Sequence, residues 1–275
     1  MAAAGAIDKK RDRLTELIGR FKRVLVAFSG GVDSTLLLKV AVDVLGPDHV
    51  LAVTADSPSV PRHELDEARE LARQVGAEHM IVETHELDDP RYAANPPDRC
   101  YFCRLDLFGK LKALAEQRGL DAVLTGANAD DAGDWRPGLR AGLEFGVCNP
   151  LADGGLTKAD VRRLSQELAL PTHDKPANPC LATRIAYGIP ITRDVLRQIE
   201  RAEDFMRRFG LREFRVRHHG DLARIELPPD RIAELAQPEP RAEIVEAFRK
   251  LGYKYVTIDL QGYRSGSMNE TVDTR

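Results

Sequence analysis

A glycine-rich turn with an Asp-Ser pair is the first part of this sequence that could carry out chemistry. The stretch reads LVAFSGGVDSTLL and covers residues 25–37. A turn of this kind between a buried strand and a helix leaves backbone N–H groups facing outward, and the helix dipole favours an anion there. Gly30 and Gly31 let the backbone approach phosphate oxygens closely, while Ser29 and Ser34 can donate hydroxyl hydrogen bonds. The stretch predicts a phosphate-binding loop, and an ordinary glycine-rich turn is the alternative.

Neighbouring polar residues suit a metal ion and the rest of a nucleotide. Asp33 can hold Mg²⁺, or it can cap the helix that follows the loop. Thr54 and Ser57 come at the end of the second apolar run, and Gly126 comes after the fourth, where it would pass close to the nucleotide. Because the carboxyl ends of parallel strands line the ligand crevice of an open sheet, we expect these residues to meet at one edge.

Three of the four cysteines form a second candidate centre. Cys100 and Cys103 have the C-x-x-C spacing, which is compatible with zinc, a redox pair or chance, and Cys180 lies in a separate loop. Three thiolates would suit a cubane iron–sulfur cluster whose remaining iron lacks a protein ligand and can carry a foreign sulfur. Cys148 lies in an apolar stretch, and we interpret it as a core residue.

Arginines in the last third of the chain predict a substrate with several negative charges. Arg184 follows the third cysteine by four residues, and Arg215 and Arg217 alternate along one predicted strand, so their side chains point to the same face. Guanidinium groups bind phosphate or carboxylate bidentately. Glu226 would assist them, and a solvated surface charge is the alternative for each of these residues.

The elements that position these residues follow from the hydrophobic pattern. Short apolar runs with β-branched residues alternate with amphipathic segments in the first half, which is typical of a doubly wound α/β fold with a parallel sheet. A helix at about 158–169, with Thr157 as its N-cap, comes after them. The expected strands are residues 23–28, 50–55, 79–83 and 121–125.

The pattern changes near residue 190. A helix, two alternating segments, a helix near 241–251 and a final strand predict a smaller α+β domain. We therefore predict a nucleotide-binding α/β domain over residues 1–150, extended by a linker and cysteine loop over 151–189, and a small α+β substrate and sulfur-transfer domain over 190–275.

Composition argues against several classes of protein. The chain has 275 residues, 43% of them hydrophobic, and can bury a full core. Its formal net charge of −3 argues against broad electrostatic binding to nucleic acid. The N-terminus lacks the apolar segment of a signal peptide, and no apolar run is long enough to cross a membrane. We expect a cytoplasmic protein without a membrane or nucleic-acid partner.

The loop at residues 29–34 resembles a known nucleotide-binding motif. Its S-G-G-x-D-S form is similar to the pyrophosphate loop of the N-type ATP pyrophosphatases, which include amidating synthetases and tRNA thiolases. The resemblance implies binding of ATP with Mg²⁺, cleavage between the α- and β-phosphates, and adenylation of a substrate oxygen. The lack of a Walker lysine agrees with this, because pyrophosphate is the leaving group.

A more specific resemblance rests on several motifs together. They are SGGVDS, CYFC, TGANADD, RPG at residues 136–138, NPL, KPANPCLATRIAYG, RAE and RVR. In this order they resemble the ATP-dependent sulfur transferases that make the nickel-pincer nucleotide cofactor. The resemblance implies that ATP adenylates a carboxylate of a pyridinium-biscarboxylate mononucleotide, and that sulfur then displaces AMP to give a thiocarboxylate. It also associates Glu203 with metal or substrate binding.

The same resemblance suggests how the sulfur is supplied. In family members with only the cysteine that matches Cys180, that residue gives up its sulfur and becomes dehydroalanine. Members with three cysteines resemble enzymes in which a 4Fe-4S cluster passes on an added sulfide. This chain has all three, so we expect Cys100, Cys103 and Cys180 to hold a cluster, with Cys180, Asp33 and Arg184 as catalytic residues.

Three other interpretations of the sequence stay open. The sacrificial use of Cys180 is one, and a tRNA thiolase is another, because some thiolases pair a pyrophosphate loop with a three-cysteine cluster. The acidic net charge and the lack of an aromatic-basic face weigh against the thiolase. A nucleotide sensor without chemistry is a third. For the favoured enzyme we expect sulfide or a sulfur-donor protein as the sulfur source, and a homo-oligomeric assembly.

Overall fold

A computed structural model describes residues 2–133, 137–264 and 266–271 of the chain. The chain splits into two compact units. The first consists of Met1–Glu86 and Cys100–Ala177, and the second consists of Leu87–Arg99 and Asn178–Arg275. None of the described helices is long and apolar enough to cross a membrane.

The first unit contains a parallel sheet of four strands in the order β3-β2-β1-β4, which confirms the predicted parallel sheet. Val24 at the start of β1 pairs with Val50 on one side and with Ala122 on the other. The strands are β1 (Val24–Ala27), β2 (Val50–Asp56), β3 (Glu78–Glu83) and β4 (Ala122–Leu124).

The described helices belong to both units. In chain order they are α1 (Ala2–Ile18), α2 (Val32–Leu45), α3 (Arg62–Val75), α4 (Pro90–Ala93), α5 (Arg99–Arg118), α6 (Pro137–Glu144), α7 (Pro150–Asp153), α8 (Lys158–Glu167), α9 (Arg193–Arg207), α10 (Pro229–Leu235) and α11 (Pro238–Lys250).

Alternate residues of the strands pack into two separate cores, one on each face of the sheet. Val24 and Val26 of β1 join Leu36 and other residues of α2 in the larger core. Leu25, which points the other way, joins Leu111 of α5 in the second core. Side chains alternate between the two faces of a strand, so a strand that is apolar throughout requires helices on both faces. The expected doubly wound arrangement is confirmed.

Helix α8 belongs to the core of the first unit and lies in the segment that the sequence predicts to extend the first domain. The Thr157 hydroxyl accepts a hydrogen bond from the Asp160 amide, and the Asp160 carboxylate accepts one from the Thr157 amide, so the predicted N-cap is part of a capping box. Val161 and Leu164 are buried in the same core as α2. This burial keeps the chain in the first unit beyond residue 150.

The second unit contains a mixed sheet with helices packed against it, which confirms the smaller α+β fold. Its strands are β5 (Arg215–His219), β6 (Leu222–Glu226) and β7 (Tyr255–Ile258). Strands β5 and β6 are antiparallel, and β7 runs parallel to β6. Met206 of α9 and Phe248 of α11 pack with Val216 and Ile225 of the sheet in one core.

The segment Leu87–Arg99 joins the second unit through several hydrogen bonds, most of them made by the buried Asn95. The Asn95 Nδ2 donates hydrogen bonds to the carbonyls of Ala186 at 2.9 Å and Ile189 at 3.0 Å. The backbone carbonyl of Asn95 accepts a hydrogen bond from the Gly188 backbone amide at 3.2 Å. These contacts connect residues some 90 positions apart, so the division into units differs from the predicted boundaries.

We expect Asn95→Ala to lower the free energy of unfolding by about 1–3 kcal/mol, since two buried carbonyls lose their donor. The φ of Asn95 is 57°, which alanine adopts at a further cost. Asn95→Gly is the matched control, because it removes the same hydrogen bonds but tolerates this φ. Urea unfolding should rank the proteins as wild type, Gly variant, Ala variant. An alanine variant as stable as the wild type would contradict the assignment.

Candidate active site

The glycine-rich loop lies between β1 and α2. Gly30 has a φ of +70°, which favours glycine, and a Cβ at this position would touch Ala68 of α3 at 3.4 Å. Gly31 precedes the helix in an extended conformation and supplies no side-chain cap. The first-turn amides of α2 are therefore available to an anion, which a helix N-terminus favours.

The two serines of the loop are hydrogen-bonded to each other and to its backbone. Their hydroxyl oxygens lie 3.2 Å apart. Ser34 also donates to the Gly31 carbonyl at 3.2 Å and accepts from the Ser29 amide at 3.3 Å. These contacts fix the shape of the loop, and contact of the hydroxyls with phosphate stays a prediction.

Asp33 faces two partners from other parts of the first unit. The Asn128 side-chain amide donates to its Oδ1 at 3.1 Å, and the Lys158 ammonium pairs with its Oδ2. No motif of the sequence predicts a role for Lys158. A signal was present, because a lysine in the first turn of a helix opposes the helix dipole and suggests a specific acidic partner.

Gly126 lies against the first turn of α2. A Cβ at Gly126 would lie 2.9 Å from the Ser34 amide nitrogen and 3.1 Å from the Asp33 carbonyl carbon. Only glycine therefore lets the exit of β4 pass this close to the loop. The chain then turns at Asn128, whose amide donates to the Asp131 carboxylate at 3.0 Å. The predicted proximity to a nucleotide is not tested by these contacts.

Thr54 and Ser57 are both buried and both engaged with protein atoms. The Thr54 hydroxyl donates to the Phe28 carbonyl at 2.7 Å and lies 2.8 Å from His79 Nε2. Ser57 donates to Glu86. These hydroxyls position the backbone that enters and flanks the loop, and their predicted contact with the nucleotide is untested.

A second lysine, Lys175, contacts the loop directly, and no motif of the sequence predicts this. The Lys175 ammonium donates to the Gly30 carbonyl at 3.1 Å and lies 2.8 Å from Glu67 and 3.3 Å from Glu64. Its side chain is only 15% exposed. Lys158 and Lys175 thus place two ammonium groups beside the loop, each paired with carboxylates in the structure.

Two of the three candidate thiols lie at the start of α5. Cys100 is exposed and Cys103 is half-buried, and their spacing of three residues places them on one face of the helix. Tyr101 between them donates to Glu144 at 2.9 Å, and the Arg140 guanidinium lies 4.3 Å from the centre of its ring. These contacts connect the start of α5 to α6.

The third thiol lies in the other unit. Cys180 is half-buried and precedes the 3-10 turn Leu181–Arg184. Within the described residues of each unit, no group of three or more His, Cys, Asp or Glu side chains is arranged to hold a metal ion. Thiolates are the usual protein ligands of iron–sulfur clusters, and the use of these three cysteines for a cluster stays a prediction.

Arg184 is fully buried and holds the chain around Cys180. Its Nε and Nη2 reach the two carboxylate oxygens of Glu203 at 3.0 and 3.3 Å. The other contacts go to the Asn178 side chain at 2.7 Å, the Thr183 hydroxyl at 3.0 Å and the Cys180 carbonyl at 3.3 Å. This guanidinium therefore positions the cysteine loop, and its predicted contact with substrate is untested.

Arg217 has a comparable set of internal partners. It donates to Glu226 at 2.7 Å, to the Ser267 hydroxyl at 2.9 Å and to the Thr183 carbonyl at 3.1 Å. Its Nε is buried without a hydrogen-bond partner among the described residues. An unsatisfied buried donor of this kind suits an anionic ligand.

Arg215 adds a further buried cation next to these residues. It lies 5.1 Å from the centre of the Tyr263 ring and donates to the Phe214 carbonyl at 2.6 Å. Burial, and then the charge of Arg184, lower the pKa of Arg215. The second unit thus concentrates positive charge around Glu203 and Glu226. Arg136 of the RPG motif lies outside the described residues.

Comparisons with known proteins extend over both units. The family model described as NAD synthase matches residues 8–93. An uncharacterized protein from Synechocystis sp. is 46% identical over 266 residues, covering 97% of this chain and 99% of that protein. The pyridinium-3,5-bisthiocarboxylic acid mononucleotide synthase of Lactiplantibacillus plantarum is 40% identical over 263 residues, covering 96% and 95%. A tRNA-specific 2-thiouridylase from Rhizobium johnstonii is 28% identical, with 62% and 52% covered.

The buried pair of Glu203 and Arg184 predicts a pH-dependent stability. Burial disfavours ionisation of Glu203, but the charge and hydrogen bonds of Arg184 outweigh it, so the pKa of Glu203 lies below its ordinary value of 4.5. Below about pH 4.5 the unfolded state therefore binds more protons than the folded state, and the free energy of unfolding should fall with falling pH.

We expect Glu203→Gln to lower the free energy of unfolding at pH 7 by about 3–5 kcal/mol, because Arg184 becomes an uncompensated buried charge. The variant should also lose part of the slope of stability with pH below 4.5. Asp204→Asn is the matched control, since Asp204 is an exposed partner of Arg207 on the same helix. Equal urea unfolding curves for both variants would contradict the role given to the pair.

Proposed function

The chain belongs to the family of the pyridinium-3,5-bisthiocarboxylic acid mononucleotide synthases, and from this we propose that it is an ATP-dependent sulfur transferase acting on a carboxylated pyridinium mononucleotide. The observation that carries the proposal is the extent of the similarity to the L. plantarum synthase, which covers 96% of the chain and so includes both units. The NAD synthase model matches only residues 8–93, most of which belong to the first unit.

The proposed reaction has two steps. A carboxylate oxygen of the acceptor attacks the α-phosphorus of ATP, and pyrophosphate leaves with the bonding electrons of the broken P–O bond. A sulfur nucleophile then attacks the carbonyl carbon of the acyl adenylate, and AMP leaves with the former carboxylate oxygen. The product is a thiocarboxylate. Adenylation is needed because AMP is a far better leaving group than an oxide ion.

The first unit would bind ATP. Gly30, Gly31 and the first-turn amides of α2 would hold phosphate oxygens, and the serines of the loop would add hydroxyl donors. Asp33 would bind Mg²⁺, which neutralises charge on the departing pyrophosphate. Thr54, Ser57 and Gly126 would shape the adjoining wall of this site.

Lys158 would exchange partners when the nucleotide binds. It is the counter-charge of Asp33 in the structure, and Mg²⁺ at the same carboxylate would replace it. The freed ammonium would then be available to a phosphate oxygen. Lys175, close to the Gly30 carbonyl, would add positive charge on the other side of the loop.

The second unit would bind the acceptor. The buried cations Arg215 and Arg217 would hold its anionic groups, and the unsatisfied Nε of Arg217 supports this assignment. Arg184 and Glu203 would act mainly by holding the loop that carries Cys180 in place, since Arg184 binds the Cys180 backbone carbonyl and the Glu203 carboxylate.

We further propose that Cys100, Cys103 and Cys180 hold a 4Fe-4S cluster. Thiolates are the usual protein ligands of such clusters. When bound, this group would supply an iron without a protein ligand that can carry sulfide. Tyr101, Glu144 and Arg140 would keep the first two thiols on one rigid face of the structure. Sacrificial transfer of the Cys180 sulfur is the alternative within the same function.

A tRNA thiolase is the second candidate function, and the match to the Rhizobium johnstonii thiouridylase favours it. That match covers 62% of this chain, and the net charge of −3 gives no broad electrostatic attraction to RNA. Pyrophosphate release that requires the pyridinium mononucleotide, together with a thiocarboxylate product found by mass spectrometry, would support the first function. Release that requires tRNA would replace it with the second.

We expect Asp33→Asn to slow acceptor-dependent pyrophosphate release by at least about 100-fold, because loss of charge stabilisation at the leaving group costs several kcal/mol. Asp43→Asn is the matched control, since Asp43 lies on the same helix and pairs with Lys39. Its rate should match that of the wild type. Near-normal release by the Asp33 variant would remove this residue from the mechanism.

The cysteines should behave as one unit if they share a cluster. Replacing any of Cys100, Cys103 or Cys180 with alanine should lower the iron content of anaerobically reconstituted protein and abolish multiple turnovers, because a cubane held by three thiolates has no spare ligand. Cys148→Ala is the control and should keep both properties.

The sacrificial alternative predicts a different pattern. Only Cys180 would then matter, the enzyme would stop after one turnover, and its mass would fall by about 34 Da as cysteine becomes dehydroalanine. Anaerobic reconstituted protein that shows this mass loss would overturn the cluster assignment and make Cys180 the sulfur donor.

A further inference from the structure

Arg99 is a buried cation for which the described protein supplies no counter-charge. The residue is 4% exposed, and its Nε and Nη1 are enclosed without a hydrogen-bond partner among the described residues. Nη2 is not enclosed in this way, so an anion can approach the guanidinium from that end. A buried charge is normally paired, because desolvation without compensation is costly.

Among the described residues, an aromatic ring favours the charge of Arg99. The Arg99 guanidinium lies 4.6 Å from the centre of the Tyr187 ring, which attracts a cation through its face. A ring face does not accept the in-plane N–H groups of a guanidinium. Those groups form a planar fork that matches the two oxygens of a carboxylate.

Tyr187 connects Arg99 to the arginines of the same unit. It lies three residues after Arg184, a separation that spans at most about 10 Å of extended chain. The amide of the preceding Ala186 donates to the His218 carbonyl at 3.1 Å, which places this segment beside β5 and next to Arg217. A mononucleotide is long enough to span the separation of about 10 Å between Arg184 and Tyr187.

We propose that Arg99 binds a carboxylate of the acceptor, the one that is not adenylated in the current step. This inference rests on the proposed function, because that function supplies an acceptor with two carboxylates. Arg215 and Arg217 would hold the remaining anionic group. Arg99 belongs to the second unit, whereas the phosphate-binding loop belongs to the first, so its ligand is assigned to the acceptor and not to ATP.

The test compares two ligands and two proteins by calorimetry. The ligands are pyridinium-3,5-biscarboxylic acid mononucleotide and pyridinium-3-carboxylic acid mononucleotide, which differ by one carboxylate. The wild type should bind the first about 10- to 100-fold more tightly, the size expected for a charge-assisted hydrogen-bond pair. Arg99→Met should lose this preference while binding the monocarboxylate as the wild type does.

Arg91→Met is the matched control, since Arg91 is an exposed partner of Asp89 in the same segment and its loss changes the net charge equally. It should keep the preference. Without ligand, Arg99→Met should also unfold at the wild-type temperature or above it, because methionine replaces a charge that has no partner.

Three results would overturn the inference. They are equal weakening of both ligands by Arg99→Met, an unchanged preference in that variant, and a clear loss of thermal stability without ligand, which would indicate a structural role. If the wild type bound neither mononucleotide, the proposed function would fail and this inference with it. Wild-type binding of both with an unchanged Arg99→Met preference would overturn the inference alone.

Discussion

The geometry of the first unit depends on how closely two backbone segments approach at the start of α2. A Cβ at Gly126 would lie 2.9 Å from the Ser34 amide nitrogen, so the exit of β4 and the glycine-rich loop are in contact through backbone atoms. Only because no side chain intervenes can Asn128, just beyond Gly126, reach Asp33. Lys158 completes the group from α8, whose burial against α2 fixes its position. The parallel sheet places these residues at one edge, and the small size of glycine allows them to meet.

In the second unit, pairs of buried opposite charges fix the structure. Arg184 with Glu203, and Arg217 with Glu226, are enclosed pairs that fix the cysteine loop and β5 relative to α9 and β6. Such pairs contribute less to stability than apolar packing of the same volume, but breaking one leaves a costly single charge. Arg99 lacks a partner of this kind among the described residues, and Arg217 keeps one unsatisfied nitrogen. The unit therefore combines rigid, neutralised positions with positions that favour an anion.

The sequence predicts the local features of this structure and misses those that depend on distant contacts. The strands and the doubly wound sheet follow from apolar runs, and the Thr157 cap follows from a short-range motif. The pairing of Lys158 with Asp33 spans 125 residues, and no periodicity indicates it. The segment Leu87–Arg99 belongs to the second unit, and the partners of its Asn95 lie about 90 residues away, so composition alone places the boundary elsewhere. The sequence also gives no sign that Arg184 and Glu203 pair with each other, and their contact with substrate stays a prediction.

The central claim is that ATP activates a carboxylate whose oxygen is then replaced by sulfur. The most direct measurement uses an acceptor mononucleotide with the heavy oxygen isotope in its carboxylates, incubated with the protein, ATP and the sulfur source, followed by mass spectrometry of the nucleotide products. The account predicts that each AMP carries one labelled oxygen and that labelled AMP and thiocarboxylate appear in equal amounts. Unlabelled AMP, or release of ADP and inorganic phosphate, would contradict it.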